Sequence, residues 1–194
     1  PPVMNVVIFV LFAFRFGQTE KLLVIFSSLI FGFILPIVTF IILRRKNKIV
    51  NDDATIKEER TIPYLYGIVF SLCGMSLLFF GGASLVTVLL WSAYFVNSTI
   101  LIVVNKFWKI SAHTMGVAIP LGASFVLGGA LSIVLGVILL LVAWARYELK
   151  VHTIPQLIVG AFVGFITTYL LVPNLYNQLI LSPLKKLFNG VIIC

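Results

Sequence analysis

Uncharged apolar runs of bilayer length, separated by short basic or glycine-bearing connections, account for most of the chain. From Leu22 to Leu43 no charge interrupts, and 22 residues at 1.5 Å each give about 33 Å of helix, against a hydrocarbon core of roughly 30 Å. That run predicts one crossing, kinked at Pro36. Between Arg60 and Lys106 lie 45 residues without a formal charge, about 68 Å of helix, so two spans are predicted there with Gly81-Gly82 as the turn. Between Lys109 and Arg146 lie 36 residues whose only ionisable group is His113, about 54 Å of helix, which predicts a second hairpin turning at Gly128-Gly129. A last span is expected over Thr153 to Val172, ending at Pro173, and its Gly160-x3-Gly164 spacing allows close approach of a neighbouring helix.

The ends are less regular. Pro1 to Phe14 is a shorter apolar run closed by Arg15, and Pro1-Pro2 offers neither an initiator Met nor a basic leader, so it reads as a span cut short at its start. Beyond Asn174 the pattern is broken, and Ser182-Pro183-Leu184-Lys185-Lys186 suggests an interfacial helix. The pattern predicts an all-α, polytopic transmembrane bundle of six or seven spans. It is one domain over residues 1–194, with its polar motifs inside about 50–172.

Composition narrows the class. With 61% hydrophobic and 10% charged residues and a mean hydropathy of +1.15, the chain does not read as a soluble globular domain. A net charge of +8 would suggest nucleic acid in a soluble protein. Here the cations sit at the ends of apolar runs, which favours lipid headgroups or phosphate-bearing ligands, and no nucleic-acid partner is expected. Cys73 and Cys194 show neither pairing nor metal-ligand spacing. Asn51-Asp52-Asp53 is a single acidic cluster without a second, too little for a divalent-metal site.

The two hairpins carry a consequence for chemistry. If each returns the chain to the side it left, Arg60, His113, Arg146 and His152 all emerge on one membrane face, and the candidate active site lies there. The protein has only two histidines, and both fall at that face beside the starts of predicted helices. Phosphoryl transfer needs cations and amide donors around the equatorial oxygens, a nucleophile and an acid for the leaving group. Arg60 and Arg146 offer bidentate forks and Lys57 a point charge. Ser111 stands where a helix N-cap belongs, so its hydroxyl and the adjacent amides would face an anion at the positive end of a helix. Two histidines can divide attack and proton donation. Lys106, Lys109 and Lys150 read as interfacial anchors, and Trp91, Trp108 and Trp144 as interface or packing residues.

At these positions the sequence resembles the type 2 phosphatidic acid phosphatase superfamily, a family of membrane lipid phosphate phosphatases. The family's motifs are Lys-x6-Arg-Pro, Pro-Ser-Gly-His and Ser-Arg-x5-His-x3-Asp. Arg146 and His152 keep the third spacing, Ser111-Ala112-His113 keeps the core of the second, and Arg60 matches the first only loosely, with Pro63 displaced. Asp53 stands where the family has Lys, with Lys57 one turn away. The resemblance implies a metal-independent phosphatase without cofactor. His152 would be the nucleophile, becoming phosphohistidine, and His113 the general acid; Arg60, Arg146, Ser111 and Lys57 would bind phosphate. Gln156 takes the place of the family's Asp, which would orient the nucleophilic imidazole and stabilise its positive charge. A glutamine supplies only the carbonyl, with Glu148 as a candidate substitute carboxylate.

The expected partners are a lipid phosphate substrate (phosphatidate, phosphatidylglycerol phosphate or a polyprenyl diphosphate) and membrane lipids. The family's bacterial members imply a bacterial cell membrane. Ten of the fourteen Lys and Arg fall on the motif side, which by the positive-inside rule points it to the cytoplasm, whereas the resemblance points it outward. Two alternatives stay open: a phosphotransferase using the same site, and a catalytically silent lipid-phosphate-binding or transport protein.

Overall fold

The computed structural model describes residues 2–15, 20–49, 58–127 and 130–181. Among the described residues the chain is helical throughout and contains no strand. The order is α1 (Pro2–Arg15), α2 (Lys21–Leu29), a π-helical turn (Ile30–Ile34), α3 (Leu35–Arg45), a 3-10 turn (Glu58–Arg60), α4 (Thr61–Phe80), α5 (Leu85–Phe107), α6 (Ala112–Leu127), α7 (Leu131–Glu148) and α8 (Ile154–Leu181). Five of these stretches are long and apolar enough to cross a membrane, counting Lys21–Arg45 as one, and α6 is a shorter apolar helix. Their outer faces keep large apolar side chains exposed, such as Ile133 at 72% and Leu140 at 71% on α7. A surface of that kind suits hydrocarbon rather than water.

Pro36 has a visible effect. It has no N–H to give to Gly32, and its ring crowds that carbonyl, so the helical ladder widens just before it. The Leu35 N–H bonds to Ile30 O, five residues back, and the path continues as α3 without a break. Pro173 differs from the expectation that it would end the last span. The helix runs through it to Leu181, and the Asn174 side-chain amide donates to Leu170 O at 2.7 Å, satisfying a carbonyl in the disturbed turn. Residues 174–181 are therefore helix α8 rather than a separate interfacial element. The later residues of that expected element, Ser182 onward, lie outside the described residues, as do Gly128-Gly129, although α6 and α7 end and begin on either side of that pair.

Three helices end in the same reversal. After α4, Gly82 takes φ +75°, and Ala83 N and Gly82 N donate to Leu78 O and Phe79 O. After α3, Asn47 (φ 53°) plays that part, with Lys48 N on Leu43 O and Asn47 N on Arg44 O. After α7 it is Lys150 (φ 55°), with Lys150 N on Tyr147 O at 2.8 Å and Val151 N on Arg146 O at 3.4 Å. This paired bonding closes a helix by placing one residue in the left-handed region, where glycine is at ease and lysine is not.

The tightest packing joins α6 to α8. A Cβ on Gly160 would lie 2.6 Å from Ser111 O, one on Gly164 2.5 Å from Met115 O, and one on Gly122 2.7 Å from Phe165 O. The backbones thus approach as the Gly160-x3-Gly164 spacing allows. Thr114 Oγ1 crosses the seam to Leu157 O at 3.0 Å, and Ser111 N reaches Gln156 O at 3.1 Å. A second cross-link ties α5 to α8, where Thr167 Oγ1 donates to Asn97 Oδ1 at 2.9 Å. These contacts fix the start of α6 against the start of α8, the two elements beside which the histidines stand.

Candidate active site

The site is assembled from three connections. The 3-10 turn delivers Arg60 at the mouth of α4, where it is 4% exposed and lies against the Tyr64 hydroxyl one turn further on. His113 is the second residue of α6. Arg146, 8% exposed, belongs to the last turn of α7, and the reversal at Lys150 brings the chain back so that His152, 6% exposed, comes to the same place. All four line one cavity of about 440 Å³. Among the described residues its lining carries two guanidiniums and two imidazoles and no carboxylate.

The local structure around His152 follows from its sequence. The Thr153 carbonyl accepts from Leu157 N at 3.1 Å, the first bond of α8, and Gln156 at the third helical position returns its Oε1 to Thr153 N at 3.1 Å. This is half of a capping box. The same Oε1 stands 3.3 Å from His152 Nδ1. Since the Thr153 amide fixes which end of the Gln156 side chain is oxygen, the ring nitrogen facing it must be the donor. Nδ1 then holds the proton and Nε2 keeps its lone pair. Burial, followed by the charges of Arg60, Lys109 and Arg146, pushes the His152 pKa down to about 4, against the opposing effect of the Gln156 bond. The ring is thus neutral at ordinary pH and has the protonation state a nucleophile needs.

Other expected residues are placed differently. Ser111 is fully buried and caps α6, with Thr114 N donating to its Oγ at 3.3 Å; it is not part of the cavity lining. Its oxygen accepts that helix bond without using the O–H proton; what keeps the hydroxyl from the cavity surface, where a phosphate contact is expected of it, is its burial. The amides of Ala112 and His113, both lining residues, have no intrahelical acceptor by helix geometry and are the donors nearest that role. Glu148 is exposed and absent from the lining, and the group that faces His152 Nδ1 is the side-chain carbonyl of Gln156. Lys57, together with Asn51, Asp52 and Asp53, lies outside the described residues. Among the described residues no three His, Cys, Asp or Glu side chains gather in a way that could hold a metal ion.

Sequence reasoning left Lys109 among the anchors, yet its charge helps keep His152 neutral. It also missed the wall below the polar mouth, made mainly of aromatic and small residues including Phe40, Tyr64, Phe70, Tyr94 and Trp91. Aromatic residues are dispersed through this sequence, and no spacing marks these as neighbours. No protein-family model, no curated protein and no solved structure matches the chain.

Proposed function

We propose that the protein is a multi-pass membrane phosphatase of six or seven spans that hydrolyses a lipid phosphate or diphosphate through a phosphohistidine. The observation that carries this reading is the cavity itself. Two guanidiniums and two imidazoles, from connections far apart in sequence, stand at the head of a space whose walls are otherwise largely apolar. A cationic mouth above an apolar space matches the two halves of a lipid phosphate.

Arg60 and Arg146 take the equatorial oxygens, assisted by the first amides of α6. His152 Nε2 donates its lone pair to phosphorus while the bond from phosphorus to the lipid oxygen breaks, and His113, which takes up a proton once the phosphate's negative charge lies beside it, gives that proton to the departing alkoxide. The positive charge on His152 is spread through Nδ1–H to Gln156 Oε1, a neutral acceptor. Water then attacks phosphorus and the P–N bond breaks. His113 takes up the water proton and is ready for the next turnover. The charge of the transferring group is met by guanidiniums, so no metal is required in this scheme. A bacterial cell membrane is the location proposed with it, a reading supported by the same resemblance.

The test is release of inorganic phosphate from phosphatidate, phosphatidylglycerol phosphate and polyprenyl diphosphate in detergent with a chelator present. His152→Ala should abolish release and the acid-labile phosphoenzyme seen on rapid quench, and His113→Ala should let the phosphoenzyme form slowly without efficient turnover. Full phosphate release by His152→Ala would overturn the mechanism.

A further inference from the structure

From the cations at its head the cavity runs inward along α4 and α5, lined by Pro63 to Ser71 on the one and by Leu101 to Trp91 on the other. On α5 the deepest lining residue is Trp91, 3% exposed, and on α4 it is Ser71. Trp91 reaches across the bundle. A Cβ on Gly74 of α4 would lie 2.5 Å from its Cζ3, one on Gly32 of the π turn 3.9 Å from its Cη2, and the Phe9 ring of α1 packs 5.0 Å from it. The indole therefore fills the middle of the bundle between three other helical elements, with Gly74 giving it the room. Its Nε1 is buried and makes no hydrogen bond, although a buried indole N–H usually finds one. The position uses the bulk of the ring rather than its polarity.

We infer that Trp91 is the stop that sets how far a substrate tail enters, and so the chain length the enzyme prefers. This rests on the lipid-phosphate reading above. Gly74 stands fourteen residues after Arg60 on the same helical path, about 21 Å, which is some two-thirds of a hydrocarbon core of roughly 30 Å. A tail whose phosphate sits at Arg60 runs down α4 past Gly67 and meets the indole there. Gly67 lies halfway. A Cβ there would meet only Ser98 Oγ, at 4.0 Å, so a larger side chain at 67 fits and projects into the space the tail would use.

The experiment uses n-alkyl phosphates from octyl to octadecyl. Phosphate release is measured as kcat/KM, and thermal stabilisation of the detergent-solubilised protein reports binding without turnover. The wild type should gain with each methylene up to a cut-off and then level. Trp91→Ala should move the cut-off to longer chains, with a gain of about fourfold for each further methylene admitted. Gly67→Leu should move it to shorter ones, and Trp91→Phe, which keeps most of the bulk, should leave it nearly in place. Gly67→Leu adds a good helix former, so the inference stays testable even where Trp91→Ala does not fold. Phosphate release with superimposable length profiles in wild type and Gly67→Leu would overturn the role of Trp91 and leave the phosphatase reading standing. Cut-offs that move as described in the binding measurement, without phosphate release, would support the stop and overturn the phosphatase. Neither release nor a length-dependent stabilisation would overturn both.

Discussion

Replacing Gln156 with glutamate tests the arrangement around His152 most directly. The Gln156 carbonyl accepts from Thr153 N at 3.1 Å and faces His152 Nδ1 at 3.3 Å. Glutamate keeps both acceptor positions and adds a charge. The wild-type ring sits at about 4, held down by burial and by Arg60, Lys109 and Arg146. An opposite charge within a few ångströms changes a pKa by about 1 to 3, so the ring in Gln156→Glu should titrate between about 5 and 7. The sign carries over to stability. As pH falls from 6.5 to about 4 the unfolded chain takes up a proton that the wild-type fold refuses, so the folded state loses stability across that window and not above it. In Gln156→Glu that loss should shrink, because the folded ring accepts the proton earlier.

The assay is an NMR titration of labelled histidine. The protein has only two, so His113→Gln leaves His152 as the single ring signal. Gln156→Leu is the opposing control. It removes the bond that raises the ring pKa, so the titration should move lower still, and losing the capping-box contact should cost about 1 kcal/mol of stability. An imidazole that titrates at its wild-type value in Gln156→Glu would show that the side chain does not face Nδ1, and the assignment of the lone pair to Nε2 would fail with it.

Further outcomes can be read from thermal unfolding in detergent. Gly164→Ala should destabilise by about 1–3 kcal/mol, since its Cβ would meet Met115 O at 2.5 Å and that oxygen belongs to a packed backbone. Gly136→Ala, where nothing lies within 4 Å of the new Cβ, should stabilise by about 0.5–1 kcal/mol. Lys150→Gly should raise stability by about 1 kcal/mol by relieving a side chain held at φ 55°, while a fall would mean that the lysine makes contacts worth more than its strain. Lys109→Gln should raise the His152 pKa, because a cation is removed from beside it; an unchanged titration would show that Lys109 acts only as an anchor.

Much of the architecture was legible because it depends on quantities that add along the chain. A charge-free stretch of 45 residues is too long for one crossing whatever it packs against, and Gly81-Gly82 is the place within it where the chain can turn. The Gly160-x3-Gly164 spacing likewise announced a close helix contact before its partner was known. Pro173 was misjudged because proline ends helices by local rules. Within a long apolar helix one missing bond, at Tyr169 O, does not end the ladder, and the helix continues to Leu181. Ser111 caps α6 as its position predicts, while its burial away from the cavity lining depends on packing that an N-cap position does not record.

The sequence by itself therefore determined the helices, the hairpins and the gathering of Arg60, His113, Arg146 and His152 toward one end, since the rise per residue and the position of charges settle them without reference to packing. Only the tertiary structure decided what those residues face. Gln156 Oε1 meets two donors because the capping turn of α8 folds it back, and Trp91 reaches the cavity wall across the bundle because Gly74 and Gly32, on other elements, leave room for an indole. Such fits depend on the shapes of side chains remote in sequence, and no periodicity records them.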